Sequence, residues 1–94
     1  MNALARTGPR AAEGLDLNRT FIRRVDLSHA SLVRANLSYA DCTNAIFVGA
    51  NFKDAILEGT ILKGADLSGA RNLTRAQIQQ AIVDERTLLP EGLH

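Results

Sequence analysis

The chain has 94 residues, a formal net charge of +1 and only four aromatic residues, three Phe and one Tyr. This length corresponds to one small domain, and the near-neutral charge predicts neither nucleic-acid binding nor mimicry of DNA. Four aromatic residues are too few for a platform on which bases stack. The charge is unevenly placed, since residues 1–34 carry six Arg against three acids and residues 35–94 carry five Lys or Arg against seven acids.

Residues 1–14 show no repeat and no apolar periodicity, and Gly8, Pro9 and Gly14 interrupt them. They are predicted to form a mobile N-terminal arm. Arg6 and Arg10 leave open a weak amphipathic or targeting segment, but the apolar core of a secretory signal is missing. The longest apolar run, 45–48, is far shorter than a membrane span. We expect a cytoplasmic protein, with peripheral association with a membrane complex left open.

From residue 15 the sequence repeats every five residues, and read in fives it runs LDLNR TFIRR VDLSH ASLVR ANLSY ADCTN AIFVG ANFKD AILEG TILKG ADLSG. The third residue of each repeat, here called the centre, is apolar in all eleven repeats, and the first residue is Ala in seven of them. The centres are Leu17, Ile22, Leu27, Leu32, Leu37, Cys42, Phe47, Phe52, Leu57, Leu62 and Leu67.

A period of five fits neither regular element. A helix turns by about 100° per residue and would spread the centres around its whole surface, whereas a continuous strand would put successive centres on opposite faces. The chain must therefore turn once per repeat, with the first and third residues pointing inward. Gly49, Gly59, Gly64 and Gly69 end their repeats, where a corner favours a positive φ. The pattern predicts an all-β solenoid of short parallel strands with a filled, narrow core.

The repeats ANLSY, ADCTN, ANFKD and ADLSG match the pattern A(D/N)LXX of the pentapeptide-repeat family, which the sequence strongly resembles from about residue 15 to residue 90. The resemblance implies a right-handed quadrilateral parallel β-helix over residues 15–72, with four repeats per coil and just under three coils. It also implies a C-terminal capping helix and tail over residues 73–94. It points to a fold more specifically than to a function, because most members of the family have none assigned.

The first coil, residues 15–34, is basic on its outside. Two interpretations stay open, a solvated face that keeps the solenoid soluble and a docking patch for an acidic partner or an anionic lipid. His29 alone does not predict a metal site, because no second ligand can be placed beside it. The outward-pointing basic residues are Arg19, Arg23, Arg24, His29 and Arg34.

The residue before the centre is Asp, Asn or Ser in seven of the eleven repeats, which suits hydrogen bonding at the edge of a turn. The other four repeats have Phe21, Ile46, Ile56 and Ile61. With four repeats per coil, Ile61 stacks with Asp41 and Phe21, Ile56 lies on an adjacent face, and Ile46 lies on a third face. These apolar residues predict a partner-binding surface. The alternative is a half-buried position that tolerates β-branched residues.

Catalysis is not indicated. Cys42 is a centre and should be a small buried hydrophobe, and with no second cysteine it fits a reducing compartment. The sequence shows no Ser/His/Asp, Cys/His or metal-ligand arrangement, so we expect a non-enzyme without cofactor, metal or small-molecule substrate.

The repeat fails at Arg71 and Asn72, and signals for a helix follow at once. Thr74 is predicted as the N-cap with Gln77 completing a capping box, and Leu73 is predicted to form a hydrophobic staple with Ile78. The helix is expected to present Ile78, Ala81 and Ile82 on one apolar face and to end near residue 84 or 85. Residues 88–90 are expected to be extended. The segment is predicted to cover the open edge of the last coil.

At the other end we predict no comparable cap before Leu15. The N-terminal edge is expected to be covered by the arm, by a second copy stacked head to head, or by a partner, which leads us to expect an assembly.

The sequence therefore predicts a non-catalytic protein–protein interaction or scaffold module, with an accessory subunit of a larger complex as one form of it. The expected partner is another protein or a second copy, without direct nucleic-acid binding. The alternative is a regulator of DNA gyrase that mimics DNA. The near-neutral charge and a solenoid of only about 15 Å, three coils at the spacing of neighbouring strands, disfavour that alternative.

Overall fold

The computed structural model describes residues 14–93. The predicted N-terminal arm, residues 1–14, therefore lies outside the described residues except for Gly14. The Gly14 N–H donates to the Val33 carbonyl oxygen at 2.8 Å, so backbone pairing has already begun at this residue.

The backbone winds so that residues twenty positions apart lie side by side. Parallel bridges join the residues before the centres in neighbouring coils, and the N–H of each centre from Leu17 to Phe52 donates across the same gap, as from Leu17 to the Asn36 carbonyl oxygen at 2.8 Å. Twenty residues are four repeats, so the chain forms a β-helix solenoid with four sides. Four rows of outward residues result: Asp16, Asn36, Ile56; Phe21, Asp41, Ile61; Asp26, Ile46, Asp66; and Ser31, Asn51, Arg71.

The interior is filled by the centres and by the small first residues of the repeats. Every centre from Leu32 to Leu67 is essentially inaccessible to solvent, and the Ala residues between them are equally buried. Phe47 and Phe52 meet edge to face with ring centroids 5.3 Å apart. Thr60 takes an Ala position in the core and donates its hydroxyl to the Leu37 carbonyl oxygen at 2.7 Å, which satisfies the buried polar group.

The chain turns each corner in the left-handed region. The last residue of all eleven repeats has a φ between 58° and 69°, and only four of these residues are glycine. Where the residue before the centre is Asp or Asn, its side chain accepts the N–H two residues later, as Asp16 does from Asn18 at 3.0 Å. This local bond holds the chain at the entry to the corner. The same bond is made by Asp26, Asn36, Asp41, Asn51 and Asp66.

Corner side chains lie along the solenoid axis over the corner of the next coil. The Tyr39 ring covers Gly59, the His29 ring covers Gly49, and the Asn44 amide covers Gly64. A Cβ atom at any of these three glycines would collide with the side chain above it. Glycine is therefore required there for space as well as for its left-handed backbone.

After Arg71 the chain leaves the coil and forms one helix, α1, spanning Arg75–Gln80. Thr74 is its N-cap and forms the predicted capping box with Gln77. The Gln77 amide nitrogen also donates to the Phe52 and Ala55 carbonyl oxygens, both at 2.9 Å. Leu73 is buried, and Ile78 packs against the core. None of residues 14–93 belongs to a helix with the length and apolarity needed to cross a bilayer.

The helix ends four to five residues earlier than predicted, because the chain returns to pair with the last coil. Ala81 is extended, and the Ile82 N–H donates to the Thr60 carbonyl oxygen at 2.8 Å while the Ile82 carbonyl accepts from Leu62. Ile82 consequently extends the Phe21 row and is exposed, so the prediction that it shares an apolar helical face with Ile78 is wrong. Residues 88–90 were predicted to be extended, and Leu88 pairs with the last coil through a parallel bridge to Asp66.

The steric restriction that the Tyr39 ring imposes on Gly59 can be measured by comparison with Gly69. Gly69 has the same backbone conformation but no side chain over it. We expect Gly69→Ala to lower the free energy of unfolding by about 1–2 kcal/mol, the cost of a left-handed non-glycine residue. Gly59→Ala should cost a further ~1–3 kcal/mol, because the Tyr39 ring must move. Urea unfolding measures both. In a Tyr39→Ala background the two alanine substitutions should cost the same, and an unchanged difference would show that the ring is not responsible.

Gln77 is predicted to be the most sensitive polar residue of α1. Gln77→Ala removes the donor to two carbonyl oxygens of the last coil and should lower the free energy of unfolding by about 1–3 kcal/mol. Gln79, on the exposed side of the same helix, supplies the matched control, and Gln79→Ala should change stability by less than about 0.5 kcal/mol. Equal effects of the two substitutions would contradict the role of the Gln77 amide.

Candidate docking surface

The core of the solenoid contains a side chain with a potentially reactive group, the thiol of Cys42. Burial, with a smaller contribution from the charge of Asp41, raises the pKa of the Cys42 thiol to about 12, so this buried thiol stays protonated and unreactive at neutral pH. Residues 14–93 contain no group of three or more His, Cys, Asp or Glu side chains that could hold a metal ion. The candidate site is therefore sought among the outward side chains of the described residues.

The four corners of the first coil carry the basic residues predicted from the sequence. Arg19, Arg24, His29 and Arg34 each end a repeat, so each has a positive φ and lies at a different corner. Arg23 lies next to the corner at Arg24. Since these residues share one coil, the structure brings the basic side chains into a ring at the N-terminal end of the solenoid. The next coil has uncharged residues or Asp54 at the same corners, and the third coil has glycine at three of them.

Two of the arginines are held by residues of the second coil. The Arg19 guanidinium lies over the Tyr39 ring, 4.8 Å from its centroid, and the Tyr39 hydroxyl donates to Glu58 at 3.0 Å. Arg23 lies 3.8 Å from Asp41 and remains more than half exposed. Both contacts are at the surface, where a cation–π or ion-pair contact contributes at most about 1 kcal/mol. Neither contact prevents the arginine from meeting a partner.

The two residues that contact these arginines, Tyr39 and Asp41, have shifted pKa values. The hydrogen bond to Glu58, followed by the repulsion of its charge, raises the pKa of the Tyr39 phenol above its ordinary value, because the neutral phenol is the donor. A hydrogen bond from the Thr43 hydroxyl holds the pKa of Asp41 below its ordinary value, and the Thr43 N–H and Arg23 act in the same direction. Asp41 is thus ionised and satisfied at neutral pH without needing Arg23.

The predicted apolar residues do not form one patch. Phe21 is 85% exposed and stands at the N-terminal end of its row, separated from Ile61 by Asp41. Ile61 is half-buried and lies beside Ile82, while Ile46 and Ile56 are exposed on two other sides. The row assignments made from the repeat are confirmed. The structure therefore shows a single large aromatic group at the basic end and scattered aliphatic groups elsewhere.

Several exposed apolar residues were missed from the sequence. Val25 occupies an inward position but is 41% exposed, because it belongs to the first coil and no described residue lies over it. Ile82 and Leu88 were expected on a helix and its tail, but they extend two outward rows. Tyr39 was not singled out, although its place twenty residues after Arg19 and before Gly59 was a usable signal once four repeats per coil had been inferred.

One groove opens where the chain passes from the last coil into α1. Its volume is about 450 Å³, and Gln77, which lines it, is already engaged with the coil. Lys53 and Asp54 give it opposite charges. The lining residues are Lys53, Asp54, Ala55, Asn72, Thr74 and Gln77.

A family model described as pentapeptide repeats matches residues 35–71 with eight copies. The fold is similar to that of HetL, a pentapeptide repeat protein involved in heterocyst differentiation regulation from the cyanobacterium Nostoc sp. strain PCC 7120, with a TM-score of 0.68 and 31% identity. It is also similar to a pentapeptide repeat protein from the thylakoid lumen of Arabidopsis thaliana, with a TM-score of 0.54 and 25% identity.

The chain is short beside these structures. The alignment with HetL covers 82% of this chain and 35% of HetL, and that with the Arabidopsis protein covers 92% of this chain and 66% of the other. No curated protein matches the chain.

The ionisation of Tyr39 can be followed by absorbance without interference, because it is the only tyrosine and the chain has no tryptophan. Titration followed by absorbance near 295 nm should give a pKa above the ordinary value of about 10. Glu58→Gln should lower that pKa, since it removes the negative charge and leaves only a neutral acceptor for the phenol, and Arg19→Ala should raise it further. The bond stabilises the fold below the pKa of the unfolded chain and is lost as pH rises through the folded value. An unshifted pKa would contradict the Tyr39–Glu58 bond.

Proposed function

We propose that this chain, which belongs to the pentapeptide-repeat family, is a non-catalytic protein–protein interaction module acting as a scaffold or as an accessory subunit of a larger complex. The observation that carries the proposal is the contrast between a completely filled core and the outward rows, where apolar side chains stand exposed among polar ones. A rigid surface of this kind suits docking, in which buried apolar anchors within a polar surround supply most of the binding energy.

The neighbouring structure of HetL supports a role of this kind. HetL is involved in heterocyst differentiation regulation. By analogy, we propose that this chain takes part in a regulatory process, and that it does so by binding another component. We propose that the partner is another protein or a second copy, and that the chain is cytoplasmic or peripheral to a membrane complex, according to where that partner lies.

We also propose that α1 and the residues after it form the cap of the C-terminal end. The proposal is supported by their hydrogen bonds to the last coil. The Leu67 N–H donates to the Leu88 carbonyl oxygen at 2.7 Å, and the Thr87 hydroxyl donates to the Leu62 carbonyl oxygen at 2.8 Å. The Gly64 N–H donates to Asp84 at 3.0 Å. Such bonds occupy backbone groups that would otherwise allow the solenoid to pair with another chain.

Affinity capture from the protein's own cells in mild detergent tests the docking proposal. The tagged parent should recover a stoichiometric partner, and the Ile56→Asp/Ile61→Asp variant should lose at least nine-tenths of it, because two apolar contacts become charged. Ser68→Asp adds the same charge at an outward polar position and should retain the partner. Circular dichroism establishes that all three proteins are folded. Recovery of no other protein by the parent, with a monomeric mass in solution, would overturn the proposal.

A further inference from the structure

We infer that residues 19–25, called here the Phe21 edge, bind an extended acidic segment of a partner protein, which adds to the first coil as a further strand. The inference rests on the proposed docking function and adds to the exposed isoleucines a second contact site, with its own binding mode and partner chemistry. Three properties of this edge lead to it: open backbone groups, exposed apolar side chains and three arginines with no acid among residues 19–25.

The first coil has backbone N–H groups that are not hydrogen-bonded to any of residues 14–93. In later coils the N–H before each centre donates to a carbonyl 21 residues earlier, as from Asp41 to Thr20 at 2.9 Å. The equivalent N–H groups of the first coil find no acceptor among residues 14–93. These groups belong to Asp16, Phe21, Asp26 and Ser31. An extended chain laid along one side could satisfy such a group, which is how peptides add to sheet edges.

One side of the first coil also offers apolar contact. Phe21 is 85% exposed, and Val25, directly after the corner at Arg24, is 41% exposed, whereas Ile22 between them is buried and holds the edge to the core. On the other three sides the residue equivalent to Phe21 is polar, namely Asp16, Asp26 or Ser31. Among the four residues before the centres of this coil, Phe21 alone therefore offers an apolar contact to a bound segment.

Charge decides which occupant fits. Residues 19–25 contain Arg19, Arg23 and Arg24 and no acid, so the edge carries a formal charge of +3 over seven residues. Residues 1–13 carry two arginines against one glutamate, which makes them a poor complement. A second copy stacked head to head would bring two basic rings together. Because like charges across an interface oppose binding and opposite charges speed it, an acidic segment of another protein is favoured.

The length of the site limits the segment. Seven residues at the rise of a strand span about 23 Å at most, and the chain bends at the corner residues Arg19 and Arg24. One side therefore accepts about four to six extended residues. Such a segment pairs with few backbone groups, so we expect weak binding that depends strongly on the arginines and on salt.

Amide hydrogen exchange of the full chain tests the open edge first. The Phe21 N–H should exchange rapidly and the Asp41 N–H slowly in the free, monomeric protein. Slow exchange of the Phe21 N–H in a monomer would mean that this chain covers its own edge, and slow exchange in a dimer would mean that a second copy does. Either outcome would overturn the inference.

The second stage uses a fluorescein-labelled peptide of sequence EVELEV as the probe. It should bind the parent, protect the Phe21 N–H from exchange and lose affinity as salt is raised. The same peptide with Lys in place of Glu should not bind. Arg19→Glu/Arg24→Glu should weaken binding at least tenfold. Lys53→Glu/Lys63→Glu makes the same change of charge on later coils and should weaken it less than threefold.

Equal effects of the two double variants, or no protection of the Phe21 N–H, would overturn the inference. The inference would also be overturned if the peptide did not bind and the protein instead bound vesicles of phosphatidylserine and phosphatidylcholine, with that binding lost in Arg19→Glu/Arg24→Glu. Ile56 and Ile61, which the capture experiment tests, lie two coils from this edge. Recovery of a partner in that experiment, combined with no binding of the peptide to the Phe21 edge, would therefore overturn only the present inference.

Discussion

A left-handed backbone residue at every fifth position sets the geometry of this protein. It closes each corner, and only a chain that turns at each repeat can direct all its centres into one core. The conformation costs a non-glycine residue about 1–2 kcal/mol, yet seven of the eleven corner positions are not glycine. The cost is offset by what each corner allows, namely backbone pairing to the neighbouring coils and burial of two side chains per repeat.

The corners also explain why the fold could be predicted so far. Once a period of five excludes both helix and strand, the inward and outward positions follow without a structure. Given four repeats per coil, the stacking of Phe21, Asp41 and Ile61 follows as well, and the bridges confirm it. The capping box of Thr74 and Gln77 was predictable for a similar reason, because it depends on residues three positions apart.

What could not be predicted depends on the unpaired ends of the solenoid. The apolar spacing of Ile78, Ala81 and Ile82 suits a longer helix, but the last coil offers N–H and C=O groups that the chain satisfies by becoming extended at Ala81. Tertiary pairing outweighs local helical preference there. Val25 is exposed for the converse reason, because the pattern marks it as inward but says nothing of whether another coil covers it.

The contact between Tyr39 and Gly59 bears on how such a chain can change in length. One inserted repeat would keep every centre inward, but it would move all later repeats round by one side. With the repeat inserted after Tyr39, Tyr39 would face the corner now at Asp54 and His29 the corner now at Asn44, instead of a glycine. Four inserted repeats restore every column. Evolution of this solenoid by duplication should therefore proceed most readily in whole coils of twenty residues.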